Sequence, residues 1–130
     1  MKRVLIIEDE QDIVDIATII LEDEGYEVCS FSDFGEYEKR VNESGADLVL
    51  LDLNLQGYHG RDICKYIKGQ EHLKQTSVVL MSANRDIQAI KEEAGADAYI
   101  CKPFDLADFI QTVKTYINIQ ETPPKPVVYL

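Results

Sequence analysis

Apolar residues along this chain fall into two alternating patterns. Val4-Leu5-Ile6-Ile7, Leu48-Val49-Leu50-Leu51 and Val78-Val79-Leu80-Met81 are unbroken aliphatic runs. Runs without polar alternation predict strands buried on both faces, as in a parallel sheet. Tyr26 to Phe31 is less uniformly apolar and predicts a strand nearer an edge, and Ala98 to Cys101 predicts a short last strand. The stretches between carry apolar residues at helical spacing. From Asp12, the residues Ile13, Ala17, Ile20 and Leu21 form one stripe that Gly25 ends. A second helix starts at Ser32-Asp33, carries Tyr37 and Val41, and closes at Gly45. A third runs from Gly60 through Ile63 and Ile67 to Gly69, and a fourth opens at Asn84-Arg85-Asp86, buries Ile87 and Ile90, and stops at Gly95. Asp105 caps the last helix, with Asp108 near its positive end and a stripe of Leu106, Phe109, Ile110, Val113 and Ile117.

Five strand-helix pairs in strict alternation predict an α/β fold: a doubly wound, five-stranded parallel sheet with five helices on its two faces. The expected strand order is 2-1-3-4-5, borrowed from short doubly wound sheets in general rather than read from these residues. Ser44-Gly45-Ala46-Asp47 and Ala94-Gly95-Ala96-Asp97 read as one helix-to-strand turn used twice. After Asn118 the character changes. Gln120 to Pro126 contains three prolines, cannot continue a helix and should be extended, and Val127-Val128-Tyr129-Leu130 follows as an apolar end. The expected organisation is one domain over 1–119 and a Pro-rich C-terminal tail or linker stub over 120–130. Whether that tail is a linker, a docking peptide or a segment folded back stays open.

Composition narrows the class. With 130 residues, 45% hydrophobic and 28% charged, the chain reads as one soluble domain able to bury a core without disulfides or metals for stability. No apolar run approaches the ~18 residues of a membrane span. The apolar start is broken by Glu8-Asp9-Glu10 and is no signal peptide, so the expected location is cytoplasmic, away from membranes. Cys29, Cys64 and Cys101 are odd in number and lack metal-binding spacing, which fits a reducing compartment, and Cys101 reads as a strand residue rather than a redox centre. His59 and His72 have no partner at ligand spacing and read as solvated. A formal charge of −11 with no dense basic cluster argues against direct nucleic-acid binding and for protein partners.

Candidate chemistry begins at Asp52, where the most apolar run ends in an acid and Asn54, Gln56, Gly57 and Gly60 predict a loop and then a helix. Alone, that acid is punctuation. In open α/β sheets, however, ligands bind beyond the carboxyl ends of the strands where strand order reverses. That rim also receives Glu8 and Asp9 after strand one, Ser82 at the end of strand four and Lys102 at the end of strand five. Three clustered carboxylates repel unless a cation sits among them, and an all-oxygen site suits Mg²⁺. A carboxylate can attack a phosphoryl group, with Mg²⁺, an ammonium and a hydroxyl stabilising the transferred oxygens.

These pieces together resemble the receiver domain of two-component response regulators, over roughly Lys2 to Ile119. The matching stretches are Val4 to Glu10, Leu50-Leu51-Asp52-Leu53, Gly60, Met81-Ser82-Ala83 and Gly95 to Phe104. The resemblance implies a flavodoxin-like receiver fold, with Asp52 as phosphoacceptor and Lys102 as phosphate-binding lysine before a cis Lys-Pro peptide. It implies Asp9 directly, Glu8 through water, Asp52 and the Asn54 carbonyl as the Mg²⁺ set, with Ser82 and Tyr99 as the switch pair. Glu8 stands where Asp is commoner, and Gln56 where Pro is frequent, which suggests a more mobile loop. Thr112 and Ala98 replace charged residues of the dimer bridges in the winged-helix subclass, which puts that dimer in doubt. Asn54 and Asn84 flank the site and are expected to orient a hydrolytic water, giving a phosphoryl lifetime of seconds to minutes.

The reading is a phosphorylation-switched signalling domain rather than an enzyme with turnover. The donor would be a sensor histidine kinase or histidine phosphotransfer protein, and the face of helix four, strand five and helix five would engage a downstream protein target or output domain. No output domain is legible within the 130 residues, so the domain either acts alone or was cut from a longer chain near Thr122. Two alternatives fit these residues less well. An aspartate-nucleophile phosphatase needs a second acid where Asn54 stands, and a flavin-binding module needs a hydroxyl- and glycine-rich loop where Glu8-Asp9-Glu10 would repel phosphate.

Overall fold

The computed structural model describes residues 1–118; the tail expected over 120–130 lies outside the described residues. Strands β1 (Arg3–Ile7), β2 (Glu27–Ser30), β3 (Leu48–Asp52), β6 (Ser77–Ser82) and β7 (Ala98–Cys101) form one parallel sheet in the order β2-β1-β3-β6-β7. This is the expected order 2-1-3-4-5. Two extra strands were not expected: β4 (Asn54–Leu55) and β5 (Tyr58–His59) form a small antiparallel hairpin in the loop after Asp52. Gly57, at φ 79°, supplies the left-handed residue its two-residue turn needs.

The sheet separates two apolar layers by its period of two. Val4, Ile6, Leu48, Leu50, Val79 and Met81 face helices α1 (Gln11–Asp23) and α5 (Leu106–Ile117). Leu5, Ile7, Val49, Leu51, Val78 and Leu80 face α2 (Tyr37–Ser44), α3 (Gly60–Gly69) and α4 (Ile87–Ala94). Residues of β1, β3 and β6 are thus buried on both sides, which is why their sequences show no alternation. β2 is an edge strand, as its mixed composition foretold.

Two helix stripes need correction. In α1 the buried residues are Val14, Ala17 and Leu21, with Ile13 and Ile20 only half-buried. Leu106 of α5 is 55% exposed, and its buried stripe is Phe109, Val113 and Ile117. Ala17 and Leu21 of α1 and Phe109, Val113 and Ile117 of α5 are buried as expected; only Val14, in place of Ile13, and the exposed Leu106 depart, because apolar residues stand on more than one side of each helix. Asp105 caps α5 as expected, its Oδ1 accepting the Ala107 N–H at 2.6 Å.

The duplicated turn is real. Gly45 and Gly95 both end helices at positive φ, 62° and 80°. Asp47 then accepts the Arg3 N–H at 2.8 Å, and Asp97 accepts the Val78 N–H at 2.8 Å. Each acid therefore ties an incoming strand to its neighbour in the sheet. His72 is exposed but not unpartnered, since its Nε2 lies 2.8 Å from Asn42 Oδ1. No helix among the described residues is long and apolar enough to cross a membrane.

Candidate functional site

Register explains why the rim residues converge. Ile7 pairs with Leu51, so Glu8 leaves β1 at the level where Asp52 ends β3. Ser82 pairs with Cys101, which puts Lys102 beyond β7 at the same edge, its N–H donating to the Ser82 carbonyl at 2.9 Å. Hydrophobic burial below fixes the strand ends, and the polar side chains emerge together above.

Lys102 Nζ lies 2.8 Å from Asp52 Oδ2 and 3.0 Å from Glu8 Oε2. Asp52 and Glu8 are both buried, at 4% exposure. Asp52 Oδ1 accepts the Asn54 N–H at 2.9 Å, and Glu8 Oε1 accepts the Glu10 N–H at 3.2 Å. Burial pushes the Glu8 carboxyl up to about 7, reinforced by its proximity to Asp52 and opposed by Lys102. Burial alone would pull the Lys102 ammonium down, but hydrogen bonds to Asp52 and Glu8 outweigh it and hold it above its ordinary value. The Lys102-Pro103 peptide is cis, as the resemblance implied.

Asp9 completes the acidic group. It is exposed, and one carboxylate oxygen from each of Glu8, Asp9 and Asp52 lies within 4.8 Å of the others. Three carboxylates face one ammonium, so the metal-free site holds excess negative charge that a cation would offset. The donors are all hard oxygens, a set that fits Mg²⁺.

The other expected residues stand at or near this rim. Ser82 is buried, and its Oγ accepts the Asn84 N–H at 3.0 Å. Asn84 turns its own Oδ1 to the Asp86 N–H at 2.8 Å, holding the turn before α4. Asn54 and Asn84 line one cleft beside the site, with His59 and Arg61. Tyr99 pairs with Leu80, is half-buried against the core beneath α4, and makes no hydrogen bond to Ser82.

Two features escaped the sequence reading. A Cβ at Gly60 would strike the Asp52 carbonyl oxygen and crowd Leu53 Cα, so only glycine lets α3 start against the end of β3. The Gln56 N–H donates to Asp9 Oδ2 at 3.0 Å, so the loop expected to be mobile is tied to the acidic cluster. That contact joins a backbone group to a side chain 47 positions away, and no residue pattern announces it.

The receiver-domain model of the response regulators matches residues 4–114. The chain is 32% identical over 118 residues to the sensory transduction protein RegX3 of Mycolicibacterium smegmatis, covering 91% of this chain and 51% of that protein. It is 30% identical over 125 residues to the DNA-binding response regulator MtrA of the same organism, covering 95% and 54%. It spans about half the length of these curated relatives. The structure also superposes on that of response regulator TrrA from Thermotoga maritima in complex with Mg²⁺-BeF, with TM-score 0.79, 28% identity, and coverage of 89% and 99%. Register, acidic cluster and family match converge on one conclusion: the chain belongs to the response regulator receiver domains of two-component signalling.

Proposed function

We propose that Asp52 accepts a phosphoryl group from a phosphohistidine on a sensor histidine kinase or phosphotransfer protein. The observation that carries this reading is the Asp52 carboxylate itself, buried at a strand end, 2.8 Å from Lys102 Nζ and grouped with Glu8 and Asp9. In the transfer an Asp52 oxygen bonds to phosphorus, the P–N bond to the donor imidazole breaks, and the imidazole leaves with that electron pair. Lys102, already between Asp52 and Glu8, follows the negative charge onto the phosphoryl oxygens. Glu8, Asp9, Asp52 and the Asn54 carbonyl would hold Mg²⁺. Bound there, the ion supplies charge neutralisation for the carboxylates and the phosphoryl oxygens.

Ser82 would donate its hydroxyl to the phosphoryl group, and Tyr99 would move with it. The altered face of α4, β7 and α5 would then engage a downstream protein target or output domain. Asn54 and Asn84 would orient the water that hydrolyses the aspartyl phosphate within seconds to minutes. Self-phosphorylation and self-dephosphorylation are the only chemistry assigned, without turnover of a substrate. MtrA is described as DNA-binding, but a formal charge of −11 gives this domain no basic footprint, and we assign it no nucleic-acid contact. The family match favours this reading over the phosphatase and flavin alternatives.

The test is a small phosphodonor such as acetyl phosphate with Mg²⁺, read by intact mass. Wild type should gain one phosphoryl group and Asp52→Asn none. Modification that persists in Asp52→Asn would sink the assignment.

A further inference from the structure

Asp9 is the one member of the acidic cluster that Lys102 does not reach; its hydrogen bond comes from the Gln56 backbone, at 3.0 Å. Glu8 and Asp52 are buried and fixed, whereas Asp9 is exposed and free to swing away from two like charges. An N–H to a carboxylate is a charge-assisted hydrogen bond and opposes that movement. Gln56 sits in the turn of the β4–β5 hairpin, whose base begins two residues after Asp52. Tyr58 anchors the hairpin edge-on against Phe34, with ring centroids 6.4 Å apart. The donor is therefore held by the same loop that carries the Asn54 contact to Asp52.

We propose that the Gln56 N–H is a positioning group for Asp9, holding the third carboxylate in place so that the site binds Mg²⁺ more tightly. The bond engages Oδ2, one of the two carboxylate oxygens. The inference rests on reading Glu8, Asp9 and Asp52 as the metal-holding acids. Its particular content is that a main-chain hydrogen, which proline lacks, sets affinity at this site.

The decisive comparison is Gln56→Pro against Gln56→Ala, because alanine keeps the N–H and proline removes it. The backbone accepts proline: Leu55 before it is extended, and Gly57 after it has φ 79°, an arrangement with proline at the first turn position. Mg²⁺ affinity, measured by calorimetry on the unphosphorylated protein, should match wild type in Gln56→Ala and fall about threefold to tenfold in Gln56→Pro. Equal affinity in the two variants overturns the proposal while leaving the metal site intact. Wild type without Mg²⁺ binding overturns both the proposal and the site reading. A second measurement serves if Gln56→Pro fails to fold. In metal-free protein, Asp9→Ala should speed hydrogen exchange at the Gln56 amide and leave the Asn54 amide unchanged. An unchanged Gln56 amide also overturns it.

Discussion

Lys102 Nζ is shared between Asp52 Oδ2 at 2.8 Å and Glu8 Oε2 at 3.0 Å, one ammonium for two buried carboxylates. These groups come from three strand ends, and Asp9 adds a third acid that Lys102 does not pair with. Folding of the sheet thus gathers three carboxylates around one ammonium.

Asp52→Asn keeps the shape and removes one of those charges. In metal-free protein the variant should be at least as stable as wild type, measured as the urea midpoint. If the acidic cluster holds Mg²⁺ in the folded form, added Mg²⁺ should raise the wild-type midpoint, and should raise that of Asp52→Asn much less. A metal-free variant clearly weaker than wild type would show that Lys102–Asp52 attraction outweighs the repulsion.

Gly60 and Gly69 bound the same helix and should respond oppositely to alanine. At Gly60 the new Cβ meets the Asp52 and Leu53 backbone, which cannot yield without moving the end of β3. A loss of about 1–3 kcal/mol is expected. At Gly69 nothing lies within 4 Å, and alanine should stabilise by about 0.5 kcal/mol through the unfolded chain. Urea denaturation of both variants checks the pair, and equal effects would contradict the backbone-contact account.

Asp47 and Asp97 allow the repeated turn to be tested against itself. Asp97→Ala removes the acceptor of the Val78 N–H and of Lys68 Nζ, the latter at 2.9 Å. Asp47→Ala removes the acceptor of the Arg3 N–H. Expected losses are about 2 and about 1 kcal/mol respectively. Equal losses in denaturant titration would mean that the Lys68 pair contributes nothing measurable.

Cys64 sets an alkaline limit. Burial pushes its thiol up to about 12, against an ordinary value of 9.0. Between those values the unfolded chain releases the proton and the folded chain keeps it, so stability falls as pH rises above about 9. Cys64→Ala should make that fall shallower by about 1.4 kcal/mol per pH unit, seen in urea midpoints on the alkaline side. In native protein, alkylation should reach exposed Cys101 and spare Cys64. An unchanged alkaline slope in Cys64→Ala would remove the thiol from the account.

The sequence was most informative where a local rule has one physical outcome. Unbroken runs such as Leu48 to Leu51 had to be buried on both faces, and Gly45 and Gly95 had to end helices in the left-handed conformation. The third helix, Gly60–Gly69, emerged with the bounds its pattern predicted. Amphipathic stripes were less decisive: Val14 rather than Ile13 faces the core, because α1 carries isoleucines on its outer side as well.

Strand order and residue types together foretold which side chains would share the rim, since a parallel sheet brings every strand end to one edge. Their distances, and the sharing of Lys102 between Asp52 and Glu8, depend on strand register and on how far each chain end rises above its last buried residue. The Gln56 N–H on Asp9 and the close approach at Gly60 belong wholly to tertiary structure. Both are backbone contacts, made by groups that nearly every residue carries, so residue identity alone leaves them unmarked.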